Sequence, residues 1–336
     1  MTPYQQLSQR GQLARLRPVA QGLAVQFGWG GSALRLLNHG YNTTYGLLRD
    51  DKRAALRINM NSIRTREQIM GELAWVKALL EAESVSVARP LPLADGSGHL
   101  ALHPFSAIGV RDPKAEHLHA VLYDWLPGRT AGHAWGPEPA YALGRLTRAL
   151  HDHARSWTVP AEAEMTVPGD VMIDCPLNPK ADTPDFREVL ARGNRVVERL
   201  RRDQPLIPVH FDLHMWNIKW HKGKMSVFDF DDCRMGWPAW DVAITLFYLR
   251  RFPEPEACEA AYWQGLGATL DDLGVTYDEM EALIAARGVF LASEMLSEWT
   301  AEAVQIGEPY LDVSRKRVSF YLQTGRFDPN VAVLSK

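Results

Sequence analysis

The feature that most constrains this chain is a polar loop followed closely by a second, acidic motif. The loop reads His-Phe-Asp-Leu-His-Met-Trp-Asn at positions 210–217, and Phe-Asp-Phe-Asp-Asp occupies positions 228–232. A strand-like segment at 218–221 follows the loop, and a second one at 225–230 leads into the acidic motif. Their length and spacing are those of a hairpin. A hairpin returns the chain on itself, so the sequence predicts that both motifs face one cleft.

These residue types at this spacing meet the requirements of phosphoryl transfer. A carboxylate has to orient the attacking hydroxyl and accept its proton, and Asp212 lies on the loop for that role. Mg²⁺ is a hard cation that prefers oxygen ligands and keeps several waters, and Asn217 and Asp229 supply such oxygens. Protein kinases share the pattern H-x-D-x-x-x-x-N followed by a metal-binding Asp. We therefore expect ATP and Mg²⁺ as cofactors.

The rest of the chain predicts two lobes. Predicted strands lie at 33–38, 43–48, 54–58, at two places within 87–103, and at 120–125. Segment 65–81 has the apolar spacing of an amphipathic helix, and helical patterns dominate after the Leu-Pro-Gly segment at 126–128. The expected fold is α+β, with a small β-rich, nucleotide-binding N-lobe at 1–123. A large, mainly helical C-lobe at 124–336 is expected to hold the loop, the metal site and the acceptor pocket.

The motifs resemble those of the aminoglycoside phosphotransferase and choline kinase superfamily, which has a protein kinase-like fold. The nearest branch is that of homoserine kinase-like and bacterial stress-response Ser/Thr kinases. Positions 210–217 are similar to its H-G-D-L-H-x-x-N loop, 228–232 to its I-D-[FW]-[DE]-D strand end, and 236–243 to its G-[DP]-P-x-[YW]-D-[LV]-A segment. The chain departs from this pattern at Phe211, where glycine is usual, and at 215–216, where proline-glycine is common.

The resemblance also implies nucleotide-binding residues in the N-lobe. Segment 40–45 resembles the hairpin turn that covers the phosphates, and its candidate contacts are Tyr41, Asn42 and Thr44. Arg57 falls where the family has its strand lysine or arginine, and its guanidinium suits bidentate binding of phosphate oxygens. Glu72 on the following helix is the expected ion-pair partner of Arg57. Backbone groups of the hinge, from Asp124 to Leu126, are expected to receive adenine.

Other residues near the motifs are expected to support the loop or to line the acceptor pocket. We expect His210 to hydrogen-bond the loop backbone and Asp241 to tie the loop to the next helix. The candidate pocket residues are Trp216, Asp231 and Trp237. Acids spaced by four on a late helix, Glu294, Glu298 and Glu302, would suit a cationic acceptor beside aromatic rings. The alternative for these acids is an ordinary solvated helix face.

The sequence leaves the acceptor open. The main prediction is an alcohol group of a small molecule such as an aminoglycoside, choline or homoserine, and the alternative is serine or threonine on a protein. A catalytically silent, pseudokinase-like binding module is a further alternative, against which the set Asp212, Asn217 and Asp229 argues. A metal-dependent hydrolase would use His210, His214, Asp212 and His221 as ligands. That reading leaves Asn217 and Asp229 without a role.

The composition of the chain limits which partners and which cellular compartment are expected. A formal net charge of -3 and a pI near 6.4 give no reason to expect a polyanion-binding surface, so nucleic acid is not expected as a partner. No apolar run reaches the roughly 18 residues that span a bilayer, so no membrane partner is expected. Three widely spaced cysteines predict neither a disulfide framework nor a zinc cluster. A reducing cytoplasm is the expected location, and the oligomeric state is left open.

Overall fold

A computed structural model describes residues 2–60, 64–110, 116–133, 135–167, 169–171, 176–298 and 300–331. The first part of the chain forms a five-stranded sheet in the order β1-β2-β3-β5-β4, with every pair of neighbours antiparallel. Its strands are β1 (Ala33–His39), β2 (Asn42–Arg49), β3 (Lys52–Asn59), β4 (Ala101–Pro104) and β5 (His117–Asp124). Its helices are α1 (Gln9–Gln26) and α2 (Arg66–Glu81).

The two helices of this lobe are fixed by local chemistry and by packing. Leu47 and Ile58 of the sheet share a buried cluster with Leu16 and Leu23 of α1. Helix α2 begins at a capping box, in which the side chains of Thr65 and Gln68 each accept the other's backbone N–H. This cap sets the start of the helix that carries Glu72 toward the sheet.

The second part of the chain is mainly helical. Its helices are α3 (Pro137–Ser156), α4 (Pro184–Asp203), α5 (Pro238–Leu249), α6 (Pro255–Leu266), α7 (Tyr277–Ser297) and α8 (Ala301–Thr324). Short strands are β6 (Arg129–Thr130), β7 (Ile207–Val209), β8 (Ile218–His221), β9 (Lys224–Val227) and β10 (Arg234–Gly236). Helix α5 is buried along nearly its whole length, as expected for a helix that is apolar on all sides, and it packs against α7.

The predicted mixture of a small β-rich lobe and a larger helical lobe is confirmed. The prediction of two strands within 87–103 is wrong, because only β4 forms a strand there. Pro90 and Pro92 lack the N–H that a sheet ladder needs, and only isolated bridges from Val87 to Val227 and from Pro90 to Tyr123 remain. The division of the chain at 123/124 stays a prediction.

Among the described helices, none combines the length and apolar character needed to cross a membrane.

Candidate active site

Asp241, in the first turn of α5, fixes the start of the polar loop. Its fully buried carboxylate accepts the backbone N–H groups of His210 (3.2 Å) and Phe211 (2.7 Å). His151 lies against the same carboxylate, with Nε2 3.0 Å from Oδ2. Asp241 therefore ties the loop to α5, the contact that the sequence predicts.

Phe211 shows how the loop tolerates a side chain at a position where glycine is usual in the family that the chain resembles. Its φ of 65° lies in the left-handed region that favours glycine. The ring is fully buried, 5.3 Å from the ring centre of Trp240, and the Arg234 guanidinium lies 3.7 Å above its face. These contacts offset the backbone strain.

His210 makes one hydrogen bond to the backbone of the loop and one to the backbone of the acidic motif. Its Nδ1 accepts the Asp212 N–H (3.3 Å), and its Nε2 donates to the Phe228 carbonyl (3.2 Å). Burial lowers the pKa of His210 despite the nearby acids Asp241 and Asp212. A neutral imidazole suits this pair of bonds, because one ring nitrogen accepts and the other donates.

Asp212 is held by three side chains. Its Oδ2 accepts from His214 Nε2 (3.1 Å) and from Asn217 Nδ2 (2.8 Å), and Oδ1 accepts from Arg287. Burial alone would raise the pKa of Asp212, but its contacts with His214 and Arg287 hold that pKa well below its ordinary value. The carboxylate is therefore ionised at neutral pH, while its side chain keeps 20% exposure.

The hairpin of β8 and β9 brings Asn217 and Asp229 to the same place. The Phe228 N–H donates to the Asn217 carbonyl (3.0 Å), so the residue before Asp229 is fastened to the end of the loop. The side chain of Asp229 is 39% exposed, and its φ is 63°. Burial and the neighbouring acids, of which Asp231 is the strongest, raise the pKa of Asp229 to about 7, although Arg57 opposes them.

Arg57 on β3 forms the ion pair with Glu72 that the sequence predicts. Its Nη2 lies 2.6 Å from Glu72 Oε2, and both side chains are at most 5% exposed. The Tyr123 hydroxyl donates to the other oxygen of Glu72 (2.6 Å). Nη1 of Arg57 reaches Asp229 at 3.4 Å, so this arginine joins α2 to the acidic motif.

Two cavities meet at these residues. The larger cavity, of about 610 Å³, is lined at its sheet side by Ala55, Arg57 and Tyr123. Its other candidate residues are Thr44, Asp124, Leu126, Trp216, Asn217 and Asp229. The smaller cavity, of about 230 Å³, contains Asp212 and Arg287. Its other polar or candidate residues are Asn38, Tyr41, Asn42, Thr44, Arg64, Asp229, Asp231, Asp232, Arg234, Tyr248, Glu294 and Glu298.

Asp229 and Thr44 line both cavities. Asp229 therefore stands in the wall between a space that Asn217 borders and a space that Asp212 borders. This convergence of the loop with the acidic motif is the arrangement that the spacing predicts.

Two aromatic predictions need correction. Trp237 does not line either cavity: its side chain is fully buried, its ring lies 5.2 Å from that of Trp240, and its Nε1 donates to the Gln204 carbonyl (3.4 Å). Trp216 lines the larger cavity rather than the smaller one, since its indole packs against Gly132, where a Cβ would come within 2.3 Å.

The hairpin residues also lie elsewhere than predicted. Tyr41 and Asn42 line the smaller cavity and not the larger one. Asn42 donates to Asp231 Oδ2 (2.8 Å), and Asn59 donates to Asp231 Oδ1 (2.6 Å). Asp231 lines the smaller cavity as predicted, but these amides already occupy both of its oxygens. Its carboxylate thus links the acidic motif to β2 and β3.

At the hinge, one predicted adenine contact is already occupied. The Asp124 N–H donates to the Arg89 carbonyl (2.9 Å), and the Asp124 carboxylate accepts the Arg89 N–H (2.6 Å). The amide of Asp124 is therefore used within the protein. Leu126 stays on the wall of the larger cavity.

Sequence reasoning missed Arg287 and Asn59. Arg287 is the one charged residue in the apolar segment 282–292, and a lone charge in a buried helix requires a partner; this signal could have found it. Asn59 carries no comparable signal, because its amide meets Asp231 only through the pairing of β3 in the sheet.

A metal-ligand cluster of the kind a hydrolase needs does not form in the part of the chain that the structure describes, where no group of three His, Cys, Asp or Glu side chains suits a metal ion. His210 uses both ring nitrogens for backbone contacts. The hydrolase alternative therefore has no support in the geometry.

A β-rich lobe, a helical lobe and a polar loop in the cleft between them define a kinase-like phosphotransferase. Residues 33–283 match the phosphotransferase enzyme family (APH). The chain belongs to this family, so the predictions of family, kinase-like fold and enzyme class are confirmed.

The chain is similar to individual known proteins in sequence and to solved structures in fold. Amicoumacin kinase from Bacillus subtilis (strain 168) is 27% identical over 239 residues, which cover 68% of this chain and 67% of that protein. A microcompartment-associated aminopropanol kinase has a similar structure, with a TM-score of 0.70, 20% identity, and coverage of 93% of this chain and 99% of the other. Amicoumacin kinase hAmiN, in complex with AMP-PNP, Ca²⁺ and Ami, gives a TM-score of 0.68 at 19% identity and covers 96% and 98% of the two chains.

Proposed function

We propose that the protein transfers the γ-phosphoryl group of ATP to a hydroxyl group of a small, cationic molecule. The observation that carries this proposal is the shared wall of the two cavities, where Asp229 lies between the Asn217 side and the Asp212 side. The larger cavity would take the nucleotide and the smaller one the acceptor. Transfer then runs across the wall, with one P–O bond broken in ATP and one formed to the acceptor oxygen.

Asp212 would orient the acceptor hydroxyl and receive its proton. Its low pKa makes it a weak base, so positioning of the hydroxyl contributes more than proton abstraction in the ground state. Arg57 would donate to phosphate oxygens from the sheet side of the larger cavity, since it already lines that cavity and points to Asp229. Both roles use side chains whose partners keep them in place.

Asn217 and Asp229 suit a divalent cation. Asn217 directs its amide nitrogen to Asp212, which leaves the amide oxygen as a ligand. The raised pKa of Asp229 would fall beside a bound cation, because the cation favours the ionised carboxylate. Mg²⁺ matches these hard oxygen donors, and when bound it would neutralise charge on the phosphates.

The smaller cavity suits a positively charged acceptor. Glu294 and Glu298 enter it beside the rings of Tyr248 and Phe290, an arrangement that favours an ammonium group. Glu302, the third acid of the predicted set, does not line the cavity. The names aminopropanol kinase and amicoumacin kinase of two relatives support a small-molecule acceptor rather than a protein.

An acceptor screen tests the proposal. ATP consumption is measured with amino alcohols, aminoglycosides, matched neutral alcohols and generic protein substrates, and autophosphorylation is followed in parallel. We expect turnover with a cationic alcohol, and Asp212→Asn should lower it by roughly 10²- to 10⁴-fold. Asp312→Asn, at a side chain that is 70% exposed, is the matched control and should not change turnover. Turnover only with protein substrates, or full activity in Asp212→Asn, would refute the proposal.

A further inference from the structure

Arg287 is a buried arginine to which the proposed reaction gives no role. It lies in α7 with a side chain that is 3% exposed, and its Nη2 donates to Asp212 Oδ1. The centre of its guanidinium lies 5.0 Å from the ring centre of Phe290 and 5.9 Å from that of Tyr248. A buried cation is costly unless a partner compensates its charge, and Asp212 provides that compensation.

The hydrogen bonds to Asp212 restrict its carboxylate strongly. An ionised carboxylate offers about four lone-pair sites. Arg287 takes one on Oδ1, and His214 and Asn217 each take one on Oδ2. About one site is left, on a side chain that lines the smaller cavity.

Arg287 differs from the other two partners in its origin. His214 and Asn217 belong to the same loop as Asp212, two and five residues after it. Arg287 comes from α7, which also carries Glu294 into the smaller cavity, seven residues further along and so on the same helix face. One helix therefore sets the position of the Asp212 carboxylate relative to an acid that faces the acceptor.

We infer that Arg287 is a positioning residue for phosphoryl transfer, which holds the Asp212 carboxylate so that its remaining acceptor position faces the acceptor hydroxyl. The inference rests on the proposed function, since it concerns the same site. Arg287 does not line the larger cavity, so its loss should leave nucleotide binding intact. Misplacement of a catalytic group by about 1 Å can cost about 10²-fold in rate, so the effect should appear in kcat.

The test compares Arg287→Met, Arg287→Lys, Asp212→Asn and the double variant Arg287→Met/Asp212→Asn with the wild type. ATP consumption is measured with aminopropanol as acceptor and also without it, where water takes the phosphoryl group. We expect Arg287→Met to lower kcat by about 10- to 100-fold with KM for ATP within about twofold, and Arg287→Lys to recover part of the loss. In the Asp212→Asn background, removal of Arg287 should cause no further loss, because it acts through Asp212.

Arg199→Met is the matched control. It removes another arginine that binds α7, through Glu279 at 2.7 Å, and it lies outside both cavities. Its kcat should equal that of the wild type. The inference is overturned if Arg287→Met keeps kcat within about twofold of the wild type, if the loss is confined to KM for aminopropanol, or if the losses of the two single variants multiply in the double variant.

Unfolding midpoints of the same proteins need no acceptor, and so they separate this inference from the proposed function. The double variant should be at least as stable as Arg287→Met, because it leaves no uncompensated buried charge at this position. If the losses of stability in the two single variants simply add in the double variant, the pairing of Arg287 with Asp212 is overturned. Failure of the wild type to consume ATP with any acceptor overturns the proposed function and, with it, the role of Arg287 in transfer, whereas coupled midpoints would still support the pairing of Arg287 with Asp212.

Discussion

Replacement of Arg57 by methionine should destabilise the protein severely, because it removes the cation from a buried acidic cluster. Arg57 lies 2.6 Å from Glu72 and 3.6 Å from Asp231, and all three side chains are at most 6% exposed. Loss of one partner from a buried ion pair costs about 3–5 kcal/mol, since the remaining charge is left uncompensated. Methionine fills a similar volume, so a cavity adds little to this cost.

The expected change in melting temperature follows from the size of the chain. Unfolding entropies near 2.1 cal/mol/K per residue give about 0.7 kcal/mol/K for a chain of 336 residues that unfolds cooperatively. A loss of about 3–5 kcal/mol then lowers Tm by about 4–7 °C. The measurement is calorimetry or dye-monitored melting at neutral pH without nucleotide.

Two further variants distinguish charge from packing. Arg57→Lys keeps the charge and should retain most of the stability, although it loses the planar fork of the guanidinium. Arg57→Met/Glu72→Met removes the charges of the closest pair but leaves Asp231 in place, so it should recover part of the stability that Arg57→Met loses. A Tm for Arg57→Met within about 1 °C of the wild type, or a double variant less stable than Arg57→Met, would refute the electrostatic reasoning.

Two other predictions concern the ligands. Asp229→Ala should abolish the Mg²⁺-dependent part of nucleotide binding, which calorimetry with and without Mg²⁺ measures. If the variant binds nucleotide as the wild type does both with and without Mg²⁺, Asp229 is not a metal ligand. Burial, followed by repulsion from Glu294, raises the pKa of Glu298 to about 7, so Glu298 is neutral below that pH and negative above it. KM for a cationic acceptor should therefore fall as the pH rises from about 6 to about 8. If KM of Glu298→Gln falls by the same amount over this pH range, Glu298 does not bind the acceptor.

The chemistry of the site was predictable where residues close in sequence are also close in space. The loop from His210 to Asn217 and the strand end at Asp229 are joined by one hairpin, so their spacing alone implies convergence. Arg57 and Glu72 lie on a strand and the helix that follows it, and their pairing was expected from the resemblance to the family. The sequence pattern therefore predicts the cleft and its main carboxylates.

The rest depends on contacts between distant parts of the chain. Arg287 lies 75 positions from Asp212, and Asn59 lies 172 positions from Asp231, so neither pair leaves a periodic trace in the sequence. The assignment of Trp237 to the pocket failed for the converse reason. It is close to the acidic motif in sequence, but the start of α5 directs its ring into the core.

The acids of the site differ in how many hydrogen bonds and ion pairs their carboxylates already make. This difference supports Asp229 as the metal ligand. Asp212 has three partners, and Asp231 has two amides in addition to Arg57. Asp229 has Arg57 at 3.4 Å, a longer contact than the 2.6 Å that the same arginine makes to Glu72. The Asp229 carboxylate is weakly held and partly exposed, and its pKa is raised. A divalent cation would therefore bind most favourably at Asp229, where it would displace the fewest existing contacts. The same ranking makes Asp231 a structural link between the lobes in our proposal, since a metal bound to it would have to break the two short hydrogen bonds that Asn42 and Asn59 donate.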